Sequence, residues 1–439
     1  MITLTGTFCK DCKIFTDNIE TGALALVQSI LDHPAFQDAQ VRIMPDVHAG
    51  KGITIGFSAP LGTYVNPNHV GVDIGCTVSC MELSAPIPES GYGKFEHRVA
   101  ETIPTGFHIW DKEVIDRQEL FDFLHQEYQR VMQDFPEMVH PIDSLDETFI
   151  TRFLQRIGMN AETFYRSLPS LGGGNHFLEY GETVDGKAFF TAHCGSRNLG
   201  VKVCNYWVRQ GKATNPPLYD RKLRETIEAV KRHCPDRTQW HRLIEEAKQQ
   251  RHEEERIREY LSGEALKGYL SDMVLTQAYA QFNHQMIHRY VGQILEELFG
   301  IHPVDLIVST HNYIDFRDHP MLRKGAIRAY DQERCIIPFN MRDGLAICRG
   351  KSNPDWNYTA PHGAGRLLSR TEAKKQLRLE DFQVTMSSVY STTICPGTLD
   401  ESPMAYKSMD EIVRLIEPTV EILYFVRARI NIKATEPEA

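Results

Sequence analysis

Short runs of hydrophobic residues alternate with Gly, Pro, Asn and Asp in the N-terminal part of the chain. The runs are residues 41–44, 53–55 and 70–74, and this pattern predicts short strands joined by tight loops. A later apolar run at residues 304–309 is rich in Val and Ile and predicts a buried strand that ends in a loop at His311. Loops of this kind often carry ligand-binding side chains.

Elsewhere, hydrophobic residues recur every three to four positions, which predicts helices. Two such stretches lie at residues 118–138 and 148–168. A third, at residues 219–299, is dense in Glu, Lys, Arg and Gln, and within it the run 251–258 predicts a solvated face of mixed charge. Since we find no repeat and no low-complexity linker, we expect one continuous domain spanning residues 1–439, with a helical insertion at about 219–299.

The composition is typical of a globular cytoplasmic protein. Hydrophobic residues make up 42% of the chain and charged residues 24%. The chain has neither an apolar run of the roughly 18 residues that a membrane helix needs nor the basic and apolar regions of a secretory signal, so we expect no membrane association. The net charge of −10 excludes nucleic-acid binding through bulk charge and leaves a local basic cleft as the alternative.

The 10 cysteines of the chain predict reduced thiols, some of them metal ligands, because no secretory signal accompanies them. Cys9 and Cys12 form a lone CxxC pair without a second pair at zinc spacing. We therefore interpret these two as structural thiols, with a zinc or redox role as the alternative.

Five candidate metal ligands stand where apolar runs end in loops rich in Gly, Asn or Asp. Asp73 and Cys76 are three residues apart, His193 and His311 each follow an apolar run, and His176 follows three glycines. A single Cys or His in such a place is more often a structural residue, but five in one kind of setting favour a metal site. This mixture of ligands suits Zn²⁺, Mn²⁺, Fe²⁺ or Co²⁺, and it suffices for two ions if the thiolate bridges them.

Further segments predict contacts with phosphate groups. The glycines at residues 172–174 leave backbone N–H groups free to cradle a phosphate, and Arg197 offers paired donors. Pro361 and Gly363 flank His362, a setting that suits a nucleophilic imidazole.

A basic stripe follows His362. Ser369 and Glu372 have the spacing of a capping box, which predicts that a helix begins there. The stripe indicates a polyanionic substrate, or else a solvated helix face. Its members, at four-residue steps, are Arg366, Arg370, Lys374 and Arg378.

Taken together, these segments resemble the RtcB family of RNA ligases, which join an RNA 2′,3′-cyclic phosphate or 3′-phosphate end to a 5′-hydroxyl end. The resemblance runs in family order from about residue 40 to the C terminus, and it implies a single mixed α and β domain with a deep central cleft that contains the metal. The matching segments are Met44-Pro-Asp-Val-His-Ala-Gly-Lys-Gly52, Gly71-Val-Asp-Ile-Gly-Cys76, Gly173-Gly-Asn-His-Phe-Leu-Glu179, His193-Cys-Gly-Ser-Arg197, His311-Asn312, Arg323-Lys-Gly-Ala326 and Ala360-Pro-His-Gly-Ala-Gly-Arg366.

The resemblance implies two Mn²⁺ ions bridged by Cys76. One ion is also held by Asp73 and His176, and the other by His193 and His311. A thiolate between two cations stays deprotonated, which agrees with this role.

The resemblance also implies that His362 is the nucleophile, which takes GMP from GTP as a phosphoramidate. The GMP passes to the RNA 3′-phosphate and is then displaced by the 5′-hydroxyl, a cyclic phosphate being opened first. The implied nucleotide-binding residues are Asn175, Glu179, His311, Asn312, Asn340, His362, Gly363, Ala364, Gly365, Tyr406 and Lys433. The candidates for contact with RNA or phosphate are Asp46, Arg197, Arg366 and Arg370.

Two segments depart from the common family pattern. The stretch that usually reads Pro-Gly-Ser-Met-Gly is here Pro338-Phe-Asn-Met-Arg-Asp-Gly344, and Cys194 and Asn198 stand where Ser and Gly are usual. Nucleotide preference and choice of substrate therefore stay open.

The leading hypothesis is a GTP- and Mn²⁺-dependent RNA ligase that acts in tRNA splicing or RNA repair. Its expected partners are RNA with the ends named above, GTP and an archease-like activator, and the expected state is a monomer or a homodimer. The first alternative is a dinuclear metal phosphoesterase that opens 2′,3′-cyclic phosphates without ligation, and the second is a protein that binds RNA ends or metal without turnover. His362 distinguishes the ligase from the phosphoesterase, because a hydrolase has no need of a nucleotidylated histidine.

Overall fold

A computed structural model of the chain describes residues 1–214, 219–234, 236–247, 259–317 and 319–435. The predicted solvated run at 251–258 lies outside these ranges. The described residues form a mixed α+β fold built on two large sheets and a two-stranded ribbon, which confirms the predicted fold class. None of the helices in these ranges combines the length and the apolar composition needed to cross a membrane.

The first sheet has six strands. Four of them come from residues 2–60 and the other two from residues 312–324. Its order is β1-β2-β3-β4-β10-β9, and its neighbours pair antiparallel except for β2 and β3, which are parallel. Its strands are β1 (Ile2–Leu4), β2 (Asp11–Ile14), β3 (Gln40–His48), β4 (Ile55–Pro60), β9 (Asn312–Asp315) and β10 (Met321–Lys324).

The second sheet has seven antiparallel strands in the order β12-β13-β15-β6-β7-β5-β8. Its strands are β5 (Thr77–Leu83), β6 (Phe177–Glu182), β7 (Ala188–Cys194), β8 (Pro303–Thr310), β12 (Arg334–Asn340), β13 (Gly344–Gly350) and β15 (Val420–Ile432). The ribbon pairs β11 (Ala326–Arg328) with β14 (Thr359–Pro361).

The seven-stranded sheet rolls up until its two outer strands meet. Ile336 N on β12 donates to Ser309 Oγ on β8 over 2.9 Å, and Arg334 pairs with Asp305 over 2.5 Å between Nη1 and Oδ2. Ile307 and Ile336 belong to one buried apolar cluster inside the roll. The rolled sheet brings the ends of distant strands to one place.

Helices cover the outer faces of the sheets. They are α1 (Thr21–Leu31), α2 (Tyr92–Thr102), α3 (Arg117–Asp134), α4 (Glu147–Ile157), α5 (Ala161–Arg166), α6 (Asn198–Thr214), α7 (Tyr219–His233), α8 (Gly263–Phe299), α9 (Arg370–Gln376), α10 (Leu379–Thr385) and α11 (Met409–Ile416). Residues 240–247 are helical as well.

The longest helix, α8, has 37 residues and packs against α2, α3, α6 and the strands β5 and β7. Tyr269 and Phe282 on it are fully buried, and His284 Nε2 lies 2.9 Å from the carbonyl oxygen of Cys194 at the end of β7. This half of the segment predicted as helical therefore supports the strand that carries His193. The division into one domain with an insertion at about 219–299 stays a prediction.

Several predicted elements differ from the structure. The run 53–55 lies mostly in a loop, since β4 begins at Ile55. Residues 70–74 form a loop rather than a strand, because Gly71 and Gly75 take φ values of +102° and +73°. The stretch 148–168 forms two helices, since Gly158 ends α4 in the left-handed conformation. Residues 304–309 form β8 as predicted, but every second side chain faces outward, and Val304 is 62% exposed. A strand of an antiparallel sheet can bury one face and leave the other in water.

Candidate metal and nucleotide site

Neighbouring strands of the seven-stranded sheet position the five predicted metal ligands. Cys76 immediately precedes β5, His176 immediately precedes β6, and His193 lies on β7, which pairs with both strands. His311 follows β8, and its backbone N donates to the carbonyl oxygen of Cys76 over 2.9 Å. Asp73 lies in the turn that leads to Cys76, closed by a 3.2 Å bond from Cys76 N to Asp73 O.

The five side chains form one continuous row of contacts. The Cys76 Sγ lies 3.4 Å from His176 Nε2 and 3.3 Å from His193 Nε2. On one side, His176 Nε2 lies 2.9 Å from Asp73 Oδ2, and on the other, His193 Nε2 lies 3.3 Å from His311 Nε2. The ligand atoms of Cys76, His176 and His193 all lie within 4.8 Å of one another.

The geometry of His193 fits a metal ligand. Its Nδ1 lies 3.1 Å from the carbonyl oxygen of Asn175, so Nδ1 carries the proton and Nε2 presents a lone pair. That lone pair points at the Nε2 of His311, an arrangement that is repulsive unless a cation or a proton lies between the two rings. A histidine that binds a metal through one nitrogen usually donates the other N–H to a carbonyl in this way.

Burial and charge set the protonation of this row. Burial raises the pKa of the Cys76 thiol well above its usual range, and the Asp73 carboxylate raises it further. Burial also lowers the pKa of His193 and His311 well below its ordinary value. Although burial lowers the pKa of His176, the Asp73 carboxylate raises it to about 10. A cation at this row supplies the charge that a Cys76 thiolate needs.

The predicted nucleophile, His362, lies at the end of this row. It follows β14, and its ring centroid is 4.8 Å from that of His311. Its Nδ1 lies 2.6 Å from Asp46 Oδ2, and its backbone N donates to the same oxygen over 3.2 Å. Since Nδ1–H donates to the carboxylate, the lone pair resides on Nε2. Asp46, predicted to contact RNA or phosphate, is fully buried on β3 and orients His362.

A cavity of about 420 Å³ opens beside His362, a size within the range of small-molecule sites. His311 and Asn312 are outside its lining, and Asn312 Oδ1 accepts a 2.9 Å bond from Gly325 N. The predicted nucleotide-binding residues that line the cavity are Asn175, Glu179, Asn340, His362, Gly363, Ala364, Gly365, Tyr406 and Lys433.

A buried glutamate that the sequence patterns did not indicate organises the basic side of the cavity. Glu401 accepts from Tyr406 Oη over 2.7 Å and from Lys433 Nζ over 3.1 Å, and its other oxygen accepts from Arg366 Nη1 over 3.1 Å. Although burial raises the pKa of Glu401, Lys433 and Arg366 lower it to about 2. The carboxylate thus holds two cations at the cavity wall.

Glu179, which also lines the cavity, differs from Glu401 in protonation. Asn431 on β15 donates to its Oε2 over 2.9 Å, and burial raises the pKa of Glu179 to about 8. This carboxyl is therefore protonated in most molecules at pH 7 and is able to act as a donor. Lining residues absent from the predicted set include Glu20, His48, Phe177 and Asn431.

The predicted basic stripe is shorter than expected. Ser369 and Glu372 form the predicted capping box, and α9 begins at Arg370. The helix ends at Gln376, so Arg378 lies outside it. Lys374 Nζ pairs with Asp400 over 3.2 Å, and Arg370 lies 4.0 Å from Glu401. Arg366, Arg370 and Lys374 therefore all face the acidic pair Asp400 and Glu401.

Arg197 lies next to the predicted metal ligand His176. Its φ is +54°, its Nε donates to Ser170 Oγ over 2.9 Å and its Nη2 to Gly106 O over 2.7 Å. A methyl group placed on Gly172 would lie 3.1 Å from Arg197 Nη1 and 2.2 Å from His176 Nδ1. The guanidinium is thus next to the His176 ring.

Cys9 and Cys12 are fully buried. Cys9 Sγ donates to Ala39 O over 3.1 Å, and burial raises the pKa of Cys12 to about 12. Buried, protonated thiols of this kind suit the interpretation as structural residues.

Replacing Glu401 with glutamine is expected to lower the free energy of unfolding by about 3 kcal/mol at pH 7, because Lys433 and Arg366 lose their buried partner. Urea titration measures this loss. Since the pKa of Glu401 falls from about 4.5 to about 2 on folding, its contribution is present above pH 4.5 and is lost as the pH falls towards 2.

The matched control is Glu417→Gln, because Glu417 pairs with Lys351 on the surface and its side chain is 77% exposed. We expect a change within about 0.5 kcal/mol for it. Equal effects of the two substitutions would contradict the role given to Glu401.

Comparison with known proteins adds a relationship over almost the whole chain. A family profile described as "tRNA-splicing ligase RtcB" matches residues 27–434. The RNA-splicing ligase RtcB of Escherichia coli (strain K12) is 26% identical over 417 residues, which cover 90% of each chain. The RNA-splicing ligase RtcB of Mycobacterium tuberculosis is 24% identical over 433 residues, covering 84% of this chain and 90% of the relative. The tRNA-splicing ligase RtcB of Archaeoglobus fulgidus is 23% identical over 459 residues, covering 91% and 88%.

Proposed function

Since this chain belongs to the RtcB family and is an RNA ligase, we propose that it joins RNA 2′,3′-cyclic phosphate or 3′-phosphate ends to 5′-hydroxyl ends, using GTP and Mn²⁺. The observation that carries the proposal is the position of His362, whose Nδ1 lies 2.6 Å from Asp46 Oδ2 and whose ring lies next to that of His311. A hydrolase has no need of a nucleotidylated histidine, whereas a ligase that works through such an intermediate needs an imidazole with an unprotonated nitrogen.

The first step is transfer of GMP to His362. The Nε2 lone pair attacks the α-phosphorus of GTP, a P–N bond forms, the P–O bond to the β-phosphate breaks, and pyrophosphate leaves. Asp46 favours this step because it fixes the tautomer with Nε2 unprotonated and stabilises the positive charge that develops on the ring.

The metal-ligand row fits two divalent cations, with Cys76 between the ligands of one and of the other. Asp73 and His176 would hold one ion, and His193 and His311 the second. Bound Mn²⁺ would neutralise phosphate charge and orient the in-line displacement.

Two further displacements complete the reaction. An oxygen of the RNA 3′-phosphate attacks the phosphorus of His362-GMP, so that a P–O bond forms and the P–N bond breaks. The 5′-hydroxyl of the second RNA end then attacks the 3′-phosphorus, a phosphodiester forms, its proton goes to solvent, and GMP leaves. A cyclic phosphate must first be opened by water to give the 3′-phosphate.

The cavity supports the nucleotide-binding part of the proposal. Lys433 and Arg366 supply positive charge at one wall, and the neutral carboxyl of Glu179 supplies hydrogen bonds at another. Asn340 donates to Asp343 over 2.8 Å within the segment that departs from the common family pattern. This segment forms part of the cavity wall, so it affects which nucleotide binds.

The experiment that tests the proposal is incubation of the protein with α-labelled GTP and Mn²⁺, followed by denaturation. Covalent label that is labile in acid and stable in alkali is expected, because a phosphoramidate has these properties. Label from ATP but not from GTP would overturn the assignment of the nucleotide. No label from either, with opening of 2′,3′-cyclic phosphates, would establish the phosphoesterase alternative instead.

The proposal extends to the setting in which the enzyme works. We place it in the cytoplasm, in tRNA splicing or repair of cleaved RNA, as a monomer or homodimer assisted by an archease-like activator. Multiple-turnover ligation with and without such an activator tests the last point.

A further inference from the structure

The loop of residues 104–110 presents an aromatic ring to solvent beside the metal-ligand row. Phe107 is 63% exposed. At this exposure the ring is accessible to a ligand from solution.

Hydrogen bonds fix the residues on both sides of Phe107. Arg197 Nη2 donates to Gly106 O over 2.7 Å and to His108 O over 3.4 Å. Further along, Trp110 Nε1 donates to Pro169 O over 2.6 Å, and Trp110 N donates to Arg166 O over 3.0 Å. The loop is therefore anchored at several points while the Phe107 ring points outward.

The anchor of this loop is also a neighbour of the metal ligands. The Arg197 guanidinium lies against the His176 ring at Gly172, and His176 Nε2 lies 2.9 Å from Asp73 Oδ2. Arg197 thus lies between the metal ligand His176 and the loop residues on either side of Phe107. Phe107 does not line the nucleotide cavity.

We propose that Phe107 is a stacking platform for a nucleobase of the RNA strand whose end enters the metal site. Single-stranded RNA is recognised chiefly by stacking of unpaired bases on aromatic rings. Such contacts matter here because the net charge of −10 denies the protein a bulk electrostatic attraction to RNA. The inference rests on the proposed function, because it supplies the substrate strand.

The test uses the full-length protein and two short oligonucleotides, one ending in a 3′-phosphate and one in a 5′-hydroxyl, each with 2-aminopurine as the terminal base. Phe107→Ala is expected to weaken binding of one of them about tenfold and to abolish the quenching of 2-aminopurine fluorescence. The oligonucleotide that responds identifies the strand. Phe107→Trp is expected to restore both signals, whereas Phe107→Leu restores neither.

Guanylylation separates this inference from the proposed function. Phe107→Ala is expected to take label from GTP at the wild-type rate, because the ring lies outside the nucleotide cavity. Tyr64→Ala is the matched control, since Tyr64 is an aromatic residue 53% exposed on another loop, and it should bind both oligonucleotides as wild type does.

Unchanged binding of both oligonucleotides by Phe107→Ala, full rescue by Phe107→Leu, or loss of guanylylation in Phe107→Ala would each overturn the inference. Failure of the wild-type protein to take label from GTP would instead overturn the proposed function, and the binding comparison would still decide the role of Phe107.

Discussion

Replacing His362 with alanine is expected to reduce covalent labelling by GTP at least about a thousandfold, because removal of an enzymatic nucleophile has effects of this size or larger. Alanine has no lone pair to attack the α-phosphorus. The metal content should stay at the wild-type level, since the predicted ligands lie on other strands and contact one another directly. Denaturing electrophoresis after incubation with α-labelled GTP measures the first quantity, and elemental analysis of dialysed protein measures the second.

Two further variants sharpen this result. His362→Gln keeps a side chain that fills the position but lacks a nucleophilic nitrogen, so it should fail as completely as alanine. Asp46→Asn should lower the rate of labelling, because the ring loses the carboxylate that fixes its tautomer. The label should still form on His362. Retention of the label in His362→Ala would remove the nucleophile assignment, and a parallel loss of metal would assign His362 to the ligand set.

The candidate site could be predicted from sequence because each ligand stands beside a strand end. His193 ends the apolar run of β7, and Cys76 and His176 precede the two strands that pair with it. The pairing order itself does not follow from the local pattern, since β5 and β6 are separated by several helices in the chain. The resemblance to the RtcB family supplied the grouping of the ligands around two ions, and the strand order was not predicted.

The hydrophobic pattern predicted the positions of helices and strands better than it predicted which side chains are buried. The run 70–74 is apolar because Val70 and Ile74 are buried beneath a glycine-rich loop, not because the backbone is extended. The run 304–309 is extended, but its outward side chains stay exposed at the edge of the rolled sheet. A local pattern contains no information about which strand lies at an edge.

Long-range partners of charged residues were beyond prediction. Glu401 lies in a short 3₁₀ helix without any motif, yet it binds Arg366 and Lys433 from two other segments. Asp46 and Arg197 were predicted to contact RNA or phosphate, and the structure shows what each already binds: the His362 ring, and the carbonyl oxygens of a neighbouring loop. A charged residue in a motif indicates that a site exists, but the motif does not show which group the charge contacts.

Replacing Cys76 with alanine is expected to remove both bound metal and GTP labelling, the latter at least about a hundredfold, since even residues that only support a metal ligand have effects of up to this size. Cys76 Sγ contacts His176 on one side and His193 on the other, so its loss weakens both halves of the row. Equilibrium dialysis against Mn²⁺ measures the metal, and α-labelled GTP measures the chemistry.

Cys80→Ala is the matched control for this prediction. Cys80 is also fully buried on β5, where it accepts a 3.2 Å bond from Thr191 Oγ, and it does not contact the row. Both its metal content and its labelling should equal those of wild type.

Cys76→Ser should fall between Cys76→Ala and wild type, because a serine hydroxyl occupies the same place but is a much weaker ligand than a thiolate for a first-row divalent cation. Normal metal content in Cys76→Ala would show that the thiol is structural, and the two-ion arrangement would then have to be abandoned while the nucleophilic role of His362 would still stand.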